Sequence, residues 1–296
     1  MTDLSFEGRR VIVTGAGRGI GRAYVHLLAA RGAHVAVVDA GSTTDGSATG
    51  PEDPAADVAA EVGAAGGSAI AVRADVTNER EAHNIVAQTA AAFGGVDAVI
   101  NNAGIVRTAP FQDISAEEYQ RHLNVHFFGS LWLCRAAWPH LRASGSGRVL
   151  NTVSAAMLGN PMMTHYGSSK GAVFGLTRNL AIEGAPDKIR VNAIAPAAGT
   201  RMADASSDAI SPETLEFLHV AMLPELVAPV GAYLVHPDCS VTGEVFNAGG
   251  GGVNRMAVVN TAGYYDQDLT VEGVASHFDQ IMAVTATAQP QVLPAG

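Results

Sequence analysis

Short apolar runs and longer amphipathic segments alternate along most of the chain. The apolar runs, which are typical of strands buried on both faces, lie at 9–14, 34–39, 69–73, 96–100, 147–153, 189–194 and 244–247. Segments with helical periodicity separate them, at 19–31, 55–65, 78–93, 115–143 and 164–184. Because neighbouring parallel strands need a crossover between them, this order predicts a parallel sheet with helices on both faces.

The same alternation predicts the fold class. It is an α/β fold of the Rossmann type, in which a doubly wound parallel sheet binds its ligand beyond the carboxyl ends of the strands. The chain has 296 residues, of which 48% are hydrophobic and 33 are glycine. That length and composition suit one large domain with a substantial core.

Charge and rare residues exclude several classes of function. The formal net charge of −10 argues against a nucleic-acid or anionic-membrane surface. Only Cys134 and Cys239 are present, so we expect neither a disulfide framework nor a cysteine zinc site. His122 and His126 have ligand-like spacing but no apparent third ligand, and no metal site is predicted. Without a signal-peptide region or a long apolar run, the chain is expected to be soluble and cytoplasmic.

The turn after the first predicted strand is rich in glycine and reads TGAGRGIGR. A G-x-G-x-x-G fingerprint would need glycine where this turn has isoleucine, but the physical effect is the same. Glycines let the backbone approach a pyrophosphate, whose charge the amides at a helix N-terminus stabilise. Between a strand and a helix, such a turn predicts a nucleotide site. The residues expected to bind there are Gly15, Arg18, Gly19, Ile20 and Gly21.

Acidic residues after the next two strands indicate which nucleotide binds. Asp39 ends the second strand, where a carboxylate accepts hydrogen bonds from the adenosine ribose and repels a 2′-phosphate. This favours NAD over NADP, although Arg18 in the turn could tolerate a phosphate. Asp75, followed by Val76, is placed to bond the adenine. Either aspartate could instead be an ordinary turn former.

Two further segments lie near this predicted site. The sequence NNAG ends the fourth strand and is expected to bring Asn102, Ala103 and Gly104 close to the nicotinamide, unless it serves only as a turn. Residues 40–54 are small and polar, with proline and glycine among them. They predict an exposed, mobile loop that carries no chemistry.

A serine, a tyrosine and a lysine between 151 and 170 predict proton-transfer chemistry. On a helix over 164–184, Tyr166 and Lys170 lie one turn apart on the same face. An ammonium beside a phenol favours the phenolate, which can take a proton from an alcohol. Ser154, at the end of a predicted strand, could hold the same alcohol oxygen. Such a pair alone is common in structural helices, so the preceding motifs decide its meaning.

With TGAGRGIG, NNAG and YGSSK in this order, the chain resembles the short-chain dehydrogenase/reductase family. The resemblance covers about 5–250, which it implies to be one NAD-binding domain, with 251–296 as a C-terminal extension packing on the core or on a neighbouring subunit. It implies that Tyr166 transfers the proton and that Ser154 positions the substrate. It also implies that Lys170 lowers the tyrosine pKa and, with Tyr166, contacts the cofactor.

The fourth site residue of the family is usually an asparagine three residues before a glycine. Here that position is His126 rather than the nearby Asn124. The replacement resembles the (3R)-hydroxyacyl-CoA dehydrogenase part of peroxisomal multifunctional enzyme type 2. His126 is expected either to pack and bond a backbone carbonyl or to steer a water molecule that links Lys170 to solvent.

The resemblance implies NAD-dependent oxidation of a secondary alcohol, and most specifically of a 3-hydroxyacyl-CoA, whose acyl chain could be bulky or steroid-derived. Residues 197–228 are apolar enough to cover such a chain, or simply to pack in the core. A free alcohol or hydroxysteroid is the alternative substrate. A nucleotide-binding scaffold without turnover is a third hypothesis, against which the complete Ser, Tyr and Lys set speaks.

The predicted partners are a small-molecule substrate and further copies of the chain. The helix over 164–184 carries Gly167, Gly171, Ala172 and Gly175, which are small enough for close helix contact. Together with the habit of the family, this predicts a homodimer or homotetramer.

Overall fold

The computed structural model describes residues 4–205, 211–285 and 288–290. Its main sheet has eight strands in the order β3-β2-β1-β4-β5-β6-β7-β8. The first seven are parallel and β8 is antiparallel to β7. The strands are β1 (Arg10–Thr14), β2 (His34–Asp39), β3 (Ser68–Arg73), β4 (Ala98–Asn101), β5 (Arg148–Thr152), β6 (Arg190–Pro196), β7 (Val245–Gly249) and β8 (Gly252–Met256). The predicted fold class is confirmed.

Helices cover both faces of this sheet, and short elements follow it. The longer helices are α1 (Gly19–Ala30), α2 (Pro54–Ala64), α3 (Glu79–Phe93), α4 (Ala116–Leu123), α5 (Gly129–Ala143) and α6 (Thr164–Gly184). The later ones are α7 (Arg201–Asp204), α8 (Pro212–Ala221), α9 (Ala228–Val235), α10 (Val271–Ser276) and α11 (Phe278–Met282). A separate antiparallel pair joins β9 (Val259–Asn260) and β10 (Gln289–Pro290).

Successive residues of the central strands enter two different cores. Val11 and Val13 of β1 pack in the core that includes α1 and α9, whereas Ile12 packs on the other face with α3 and α5. All three side chains are fully buried. This explains why the strands read as continuous apolar runs instead of alternating ones.

Polar contacts fix the amino ends of the central strands. Asp97, directly before β4, accepts hydrogen bonds from the backbone N–H of Arg10 at 2.8 Å and from its Nε and Nη2 at 2.7 Å each. At the opposite ends of the strands the order reverses between β1 and β4. In folds of this class, ligands bind beside such a reversal.

The predicted helix over 115–143 contains a local change of geometry. The backbone from Asn124 to Phe128 is a π-helical turn between α4 and α5. A π turn widens the helix by one residue and rotates the side chains that follow, and such turns are frequent at functional sites. His126 lies within it.

The strand β8 was not predicted. It follows β7 through a two-residue turn in which Gly250 and Gly251 have φ values of +57° and +80°. Positive φ at both central residues is typical of a tight hairpin turn, for which consecutive glycines are the sequence signal. The sheet therefore continues past residue 250, while the packing of the extension over 251–296 on a neighbouring subunit stays a prediction.

Within the described ranges, no single helix is long and apolar enough to cross a membrane. The bent pair Pro212–Ala221 and Pro224–Val235 meets the criteria of length and composition jointly. Much of its second half, including Ala228, Leu234 and Val235, belongs to the buried core against α1.

Candidate active site

Ser154, Tyr166 and Lys170 meet beyond the carboxyl end of β5. α6 begins at Thr164, as predicted, so Tyr166 and Lys170 occupy successive turns. The Lys170 Nζ lies 5.7 Å from the centre of the Tyr166 ring and donates a 2.8 Å hydrogen bond to the Thr152 carbonyl oxygen. The side chains of Ser154 and Tyr166 line the same cavity, and Ser154 lies close enough to influence the pKa of Tyr166.

The pKa of Tyr166 is shifted in the direction opposite to the predicted one. Burial raises the pKa of Tyr166, and Ser154 offsets only part of that rise. Burial also lowers the pKa of Lys170 to about 7. The pKa of Tyr166 was expected to be lowered by the Lys170 ammonium. It is raised instead, because desolvation of the phenolate is the larger effect.

His126 is fully enclosed and both its ring nitrogens have protein partners. Its Nε2 accepts a 3.0 Å hydrogen bond from the backbone N–H of Ile105, and its Nδ1 lies 2.7 Å from the Ser169 Oγ. The Ser169 hydroxyl donates to the Tyr166 carbonyl at 2.7 Å, so Nδ1 must be the protonated nitrogen. This arrangement supports a positioning role for His126, since neither nitrogen is available to hold a water beside Lys170.

Two more histidines extend this cluster. The centres of the His122 and His165 rings lie 4.2 Å apart, and His122 is 5.7 Å from His126. His122 Nδ1 donates to the Glu118 carbonyl at 2.8 Å. Its Nε2 and both nitrogens of His165 are buried without a hydrogen-bond partner among the described residues. Burial lowers the pKa of His122 to about 3 and lowers the pKa values of His165 and His126 as well.

A cavity of about 830 Å³ runs along the carboxyl ends of the strands, beside the glycine-rich turn. The predicted cofactor residues that line it are Gly15, Arg18, Gly19, Ile20, Asp39, Asp75, Val76, Asn102, Ala103 and Gly104. Gly21 does not line it: a Cβ there would lie 2.2 Å from the Gly15 carbonyl oxygen, so this glycine serves the packing of the turn. Tyr166 and Lys170 line a second cavity beside this one.

The turn is shaped to bring backbone close to a ligand. Gly15 has a φ of +60°, and a Cβ on it would lie 2.8 Å from the Ala103 Cα. Asn102 braces the turn from β4, because its Nδ2 donates to the carbonyls of Thr14 at 2.9 Å and Gly15 at 3.1 Å. The side chain of Asn102 thus holds the cradle in shape, a role that the motif alone did not indicate.

The carboxylate of Asp39 is fixed at the far end of the cavity. Its Oδ2 accepts from the Gly17 N–H at 2.9 Å and its Oδ1 from the Gly41 N–H at 2.8 Å. Each carboxylate oxygen keeps capacity for one more donor. These residues fit the adenosine ribose of a dinucleotide, and the glycines fit its pyrophosphate.

The loop over 40–54 lies beside the site, which its sequence did not predict. Ser42 and Thr49 form a bridge, and the backbone N–H of Val106 donates to the Thr44 carbonyl at 2.9 Å. The loop supplies part of the cavity wall, through Ser42, Thr43, Thr44, Gly46 and Thr49. Its small polar residues also bond one another, as where Thr43 Oγ1 donates to Asp45 Oδ1 at 2.7 Å.

The second cavity, of about 580 Å³, holds Ser154, Tyr166 and Lys170. It joins the first, because five residues line both: Ile20, Asn102, Gly104, Thr200 and Met202. Residues from the segment over 197–228 give it an apolar side, notably Met202, Leu218 and Met222. The part of this segment over 206–210 lies outside the described residues.

Comparison with known proteins agrees with this geometry. The family described as short chain dehydrogenase matches residues 9–210. The chain belongs to the short-chain dehydrogenase/reductase family. It is therefore an oxidoreductase, as the names of its relatives also indicate.

One relative is the short-chain type dehydrogenase/reductase Rv0148 of Mycobacterium tuberculosis, 40% identical over 93% of this chain and 94% of its own length. Peroxisomal multifunctional enzyme type 2 of Mus musculus is 38% identical over 98% of this chain, which spans only 39% of that protein. Among solved structures, a 7α-hydroxysteroid dehydrogenase complexed with NADH and 7-oxo glycochenodeoxycholic acid has a TM-score of 0.74 and 32% identity. That match covers 85% of this chain and 98% of the other.

Some residues of this dehydrogenase site were missed by the sequence analysis. Asn160, Asn247 and Asn254 are polar side chains of the second cavity, and Thr200 lies where the two cavities meet. Arg201 lines the first cavity. Asn254 could not be found because its strand, β8, was not predicted. Thr200 follows β6 within the run APAAGTRM, whose position after a strand was the available signal.

Proposed function

We propose that this dehydrogenase uses NAD to interconvert a secondary alcohol and a ketone, and that its substrate is a 3-hydroxyacyl-CoA. The observation that carries the reaction is the meeting of Ser154, Tyr166 and Lys170 where a dinucleotide-sized cavity joins an apolar one. The substrate class rests on similarity to peroxisomal multifunctional enzyme type 2 across almost the whole chain and on the V-H-x-x-G-S pattern around His126.

In the proposed mechanism, Ser154 holds the alcohol oxygen and Tyr166 removes its proton. Bound oxidised NAD supplies the hydride acceptor and a positive charge. Lys170, as an ammonium held by the Thr152 carbonyl, favours the phenolate electrostatically and opposes the effect of burial. Ser169 and His126 keep the backbone of Tyr166 in place. Met202, Leu218 and Met222 would pack on the acyl chain.

NAD is the proposed cofactor, with NADP disfavoured. Asp39 is fixed by two backbone N–H groups where the adenosine ribose would lie. A fixed carboxylate accepts bonds from the two ribose hydroxyls and repels a phosphate placed on one of them. The NADH complex of the steroid dehydrogenase neighbour is consistent with this proposal.

The test is a turnover panel with purified protein. We expect NAD reduction with 3-hydroxyacyl-CoA substrates, studied over a series of increasing acyl bulk, and much weaker turnover of the corresponding free hydroxy acids. Tyr166→Phe should lower kcat by at least about a hundredfold, the usual range for a lost general base, while NAD binding is kept. Absence of turnover with every hydroxyacyl-CoA would contradict the substrate assignment, and full activity in Tyr166→Phe would contradict the mechanism.

A free hydroxysteroid or other alcohol is the second candidate. It is favoured by the structural neighbour complexed with a 7-oxo bile acid derivative, whose chain is matched over 98% of its length. In the same panel, turnover of free steroid alcohols that exceeds turnover of the CoA thioesters would support this candidate.

We also propose that the protein is a homodimer or homotetramer and that it is cytoplasmic. Gly171 and Gly175 of α6 have no neighbour within 4 Å of an added Cβ, so this face is open to a second helix, whereas Gly167 packs on the Ala156 carbonyl inside the subunit. A monomer in sedimentation would contradict the first proposal. The mouse relative is named peroxisomal, so microscopy of the tagged chain in its own cell tests the second.

A further inference from the structure

Arg18 is a cation at the adenosine end of the nucleotide cavity. It immediately follows Gly17, whose N–H bonds Asp39, and both Arg18 and Asp39 line the cavity. A phosphate on the ribose held by Asp39 would therefore come close to this guanidinium, which is well suited to phosphate. Left alone, Arg18 would weaken the selection that Asp39 provides.

In the structure, Arg18 already has an anionic partner. Its Nη2 donates to the Glu52 Oε2 at 2.9 Å. Burial lowers the pKa of Arg201, and the nearby positive charge of Arg18 lowers it further. The carboxylates of Asp39 and Glu52 act in the opposite direction. Two arginines of the cavity wall, Arg18 and Arg201, thus lie near two carboxylates, Asp39 in the wall and Glu52 beside it.

The backbone on both sides of Glu52 is held by hydrogen bonds, which place Glu52 near Arg18. Arg73 of β3 donates to the carbonyls of Gly50 and Pro51 at 2.5 and 3.1 Å. On the other side, Asp53 caps α2 by accepting from the Ala56 N–H at 3.2 Å. The carboxylate therefore comes from an anchored segment, although its side chain is 74% exposed.

We propose that Glu52 is a cofactor-specificity residue that helps to exclude NADP. Glu52 pairs with the Arg18 guanidinium, which would otherwise be free to bind a 2′-phosphate. It also adds a second negative charge near Asp39. This inference rests on the proposed nucleotide site and deepens it, because selection against NADP is then shared between the end of β2 and the loop over 40–54.

The test compares two ligands that differ only by the phosphate in question, adenosine 2′,5′-bisphosphate and 5′-AMP, by isothermal titration calorimetry. Glu52→Gln keeps the shape and removes the charge. It should tighten binding of the bisphosphate by about fivefold, the upper end of the scale for an exposed charge interaction, and leave 5′-AMP binding within about twofold. Adding Arg18→Gln to this variant should abolish the gain.

Glu61→Gln is the matched control. Glu61 also accepts a hydrogen bond from an arginine, Arg22 Nη2 at 2.7 Å, but Arg22, unlike Arg18, does not line the nucleotide cavity. The same change in net charge should leave the ratio of the two affinities unaltered. Equal gains in Glu52→Gln and Glu61→Gln, or a gain that survives Arg18→Gln, would overturn the proposal.

The assay also separates this inference from the function on which it rests. If 5′-AMP binds and the affinity ratio is the same in wild type and Glu52→Gln, the role of Glu52 is contradicted while the nucleotide site stands. If neither ligand binds the wild-type protein, the nucleotide site itself is contradicted, and the role of Glu52 with it.

Discussion

At the scale of single residues, the site depends on side chains whose charged forms are disfavoured by burial. The pKa of Tyr166 is raised and that of Lys170 is lowered to about 7, in both cases mainly by desolvation. Ser154 opposes the rise in the pKa of Tyr166. Ser154 should therefore influence the proton transfer as well as the position of the substrate.

This reasoning predicts a shift in a pH profile. Alcohol oxidation needs the phenolate, so kcat/KM should rise with pH and level off above the effective pKa of Tyr166. Ser154→Ala removes a contribution that lowers this pKa, and the rising limb should move to higher pH in addition to any loss of rate. Ser168→Ala, an exposed serine on the same helix, should leave the profile in place. An unmoved limb in Ser154→Ala would show that the serine acts on the substrate alone.

At the scale of elements, the predictions succeeded where hydrophobic periodicity was strong. The helix over 164–184 and the strand over 34–39 have the predicted bounds. What failed was local backbone geometry. The π turn at Asn124–Phe128 leaves an apolar pattern that resembles a continuous helix. The loop over 40–54 owes its shape to side-chain and turn hydrogen bonds that have no periodic signal.

The sequence predicted which residues form the candidate site better than it predicted the role of each residue. Its glycines and its serine, tyrosine and lysine follow from motif order, since TGAGRGIG and NNAG each follow a predicted strand and YGSSK lies on a predicted helix. The bracing role of Asn102 and the closed hydrogen-bond chain of His126 depend on contacts between elements distant in sequence. Spacing along one chain does not encode such contacts.

The π turn yields a prediction of its own. His126 joins α6 to the segment after β4, through Ser169 and Ile105. His126→Phe leaves the buried N–H of Ile105 without an acceptor, which should lower the free energy of unfolding by about 2 kcal/mol. Asn124→Ala, which removes only an exposed bond from Gln120, should change it by less than about 0.5 kcal/mol. Equal losses in urea titrations of the two variants would contradict the positioning role.

At the scale of the whole molecule, apolar cores cover both faces of the sheet, and the site residues lie along the carboxyl ends of its strands. A notable exception to the apolar interior is the cluster of His122, His126 and His165, packed between α4 and α6 beside the tyrosine. All three have lowered pKa values, chiefly through burial. They are neutral in the folded protein at neutral pH, whereas an unfolded chain would protonate them near pH 6.5.

The sign of the pH dependence follows from this difference. Below about pH 6.5 the unfolded chain binds more protons than the folded one, so stability should fall as the pH falls, on the order of 1 kcal/mol per buried histidine between pH 6.5 and 5.5. His165→Phe should flatten this slope and leave stability at pH 7.5 unchanged or higher, because both imidazole nitrogens lack partners. His83→Asn, at an exposed position, is the control. Urea unfolding at several pH values measures the slope, and an unchanged slope in His165→Phe would contradict the assignment.

The burial of both sheet faces has a consequence for alignment. Sliding a strand by one residue exchanges its two faces, yet in a strand such as β1 each alternative set is apolar, so hydrophobicity alone hardly distinguishes the two. The alignment must come from polar contacts, and the three bonds between Asp97 and Arg10 provide it for β1 and β4. β1 and β4 run from this ion pair at their amino ends to Gly15 and Asn102 at their carboxyl ends. The same ion pair therefore helps to set the relative positions of Gly15 and Asn102. An ion pair remote from the site thus helps to position the backbone that forms the site.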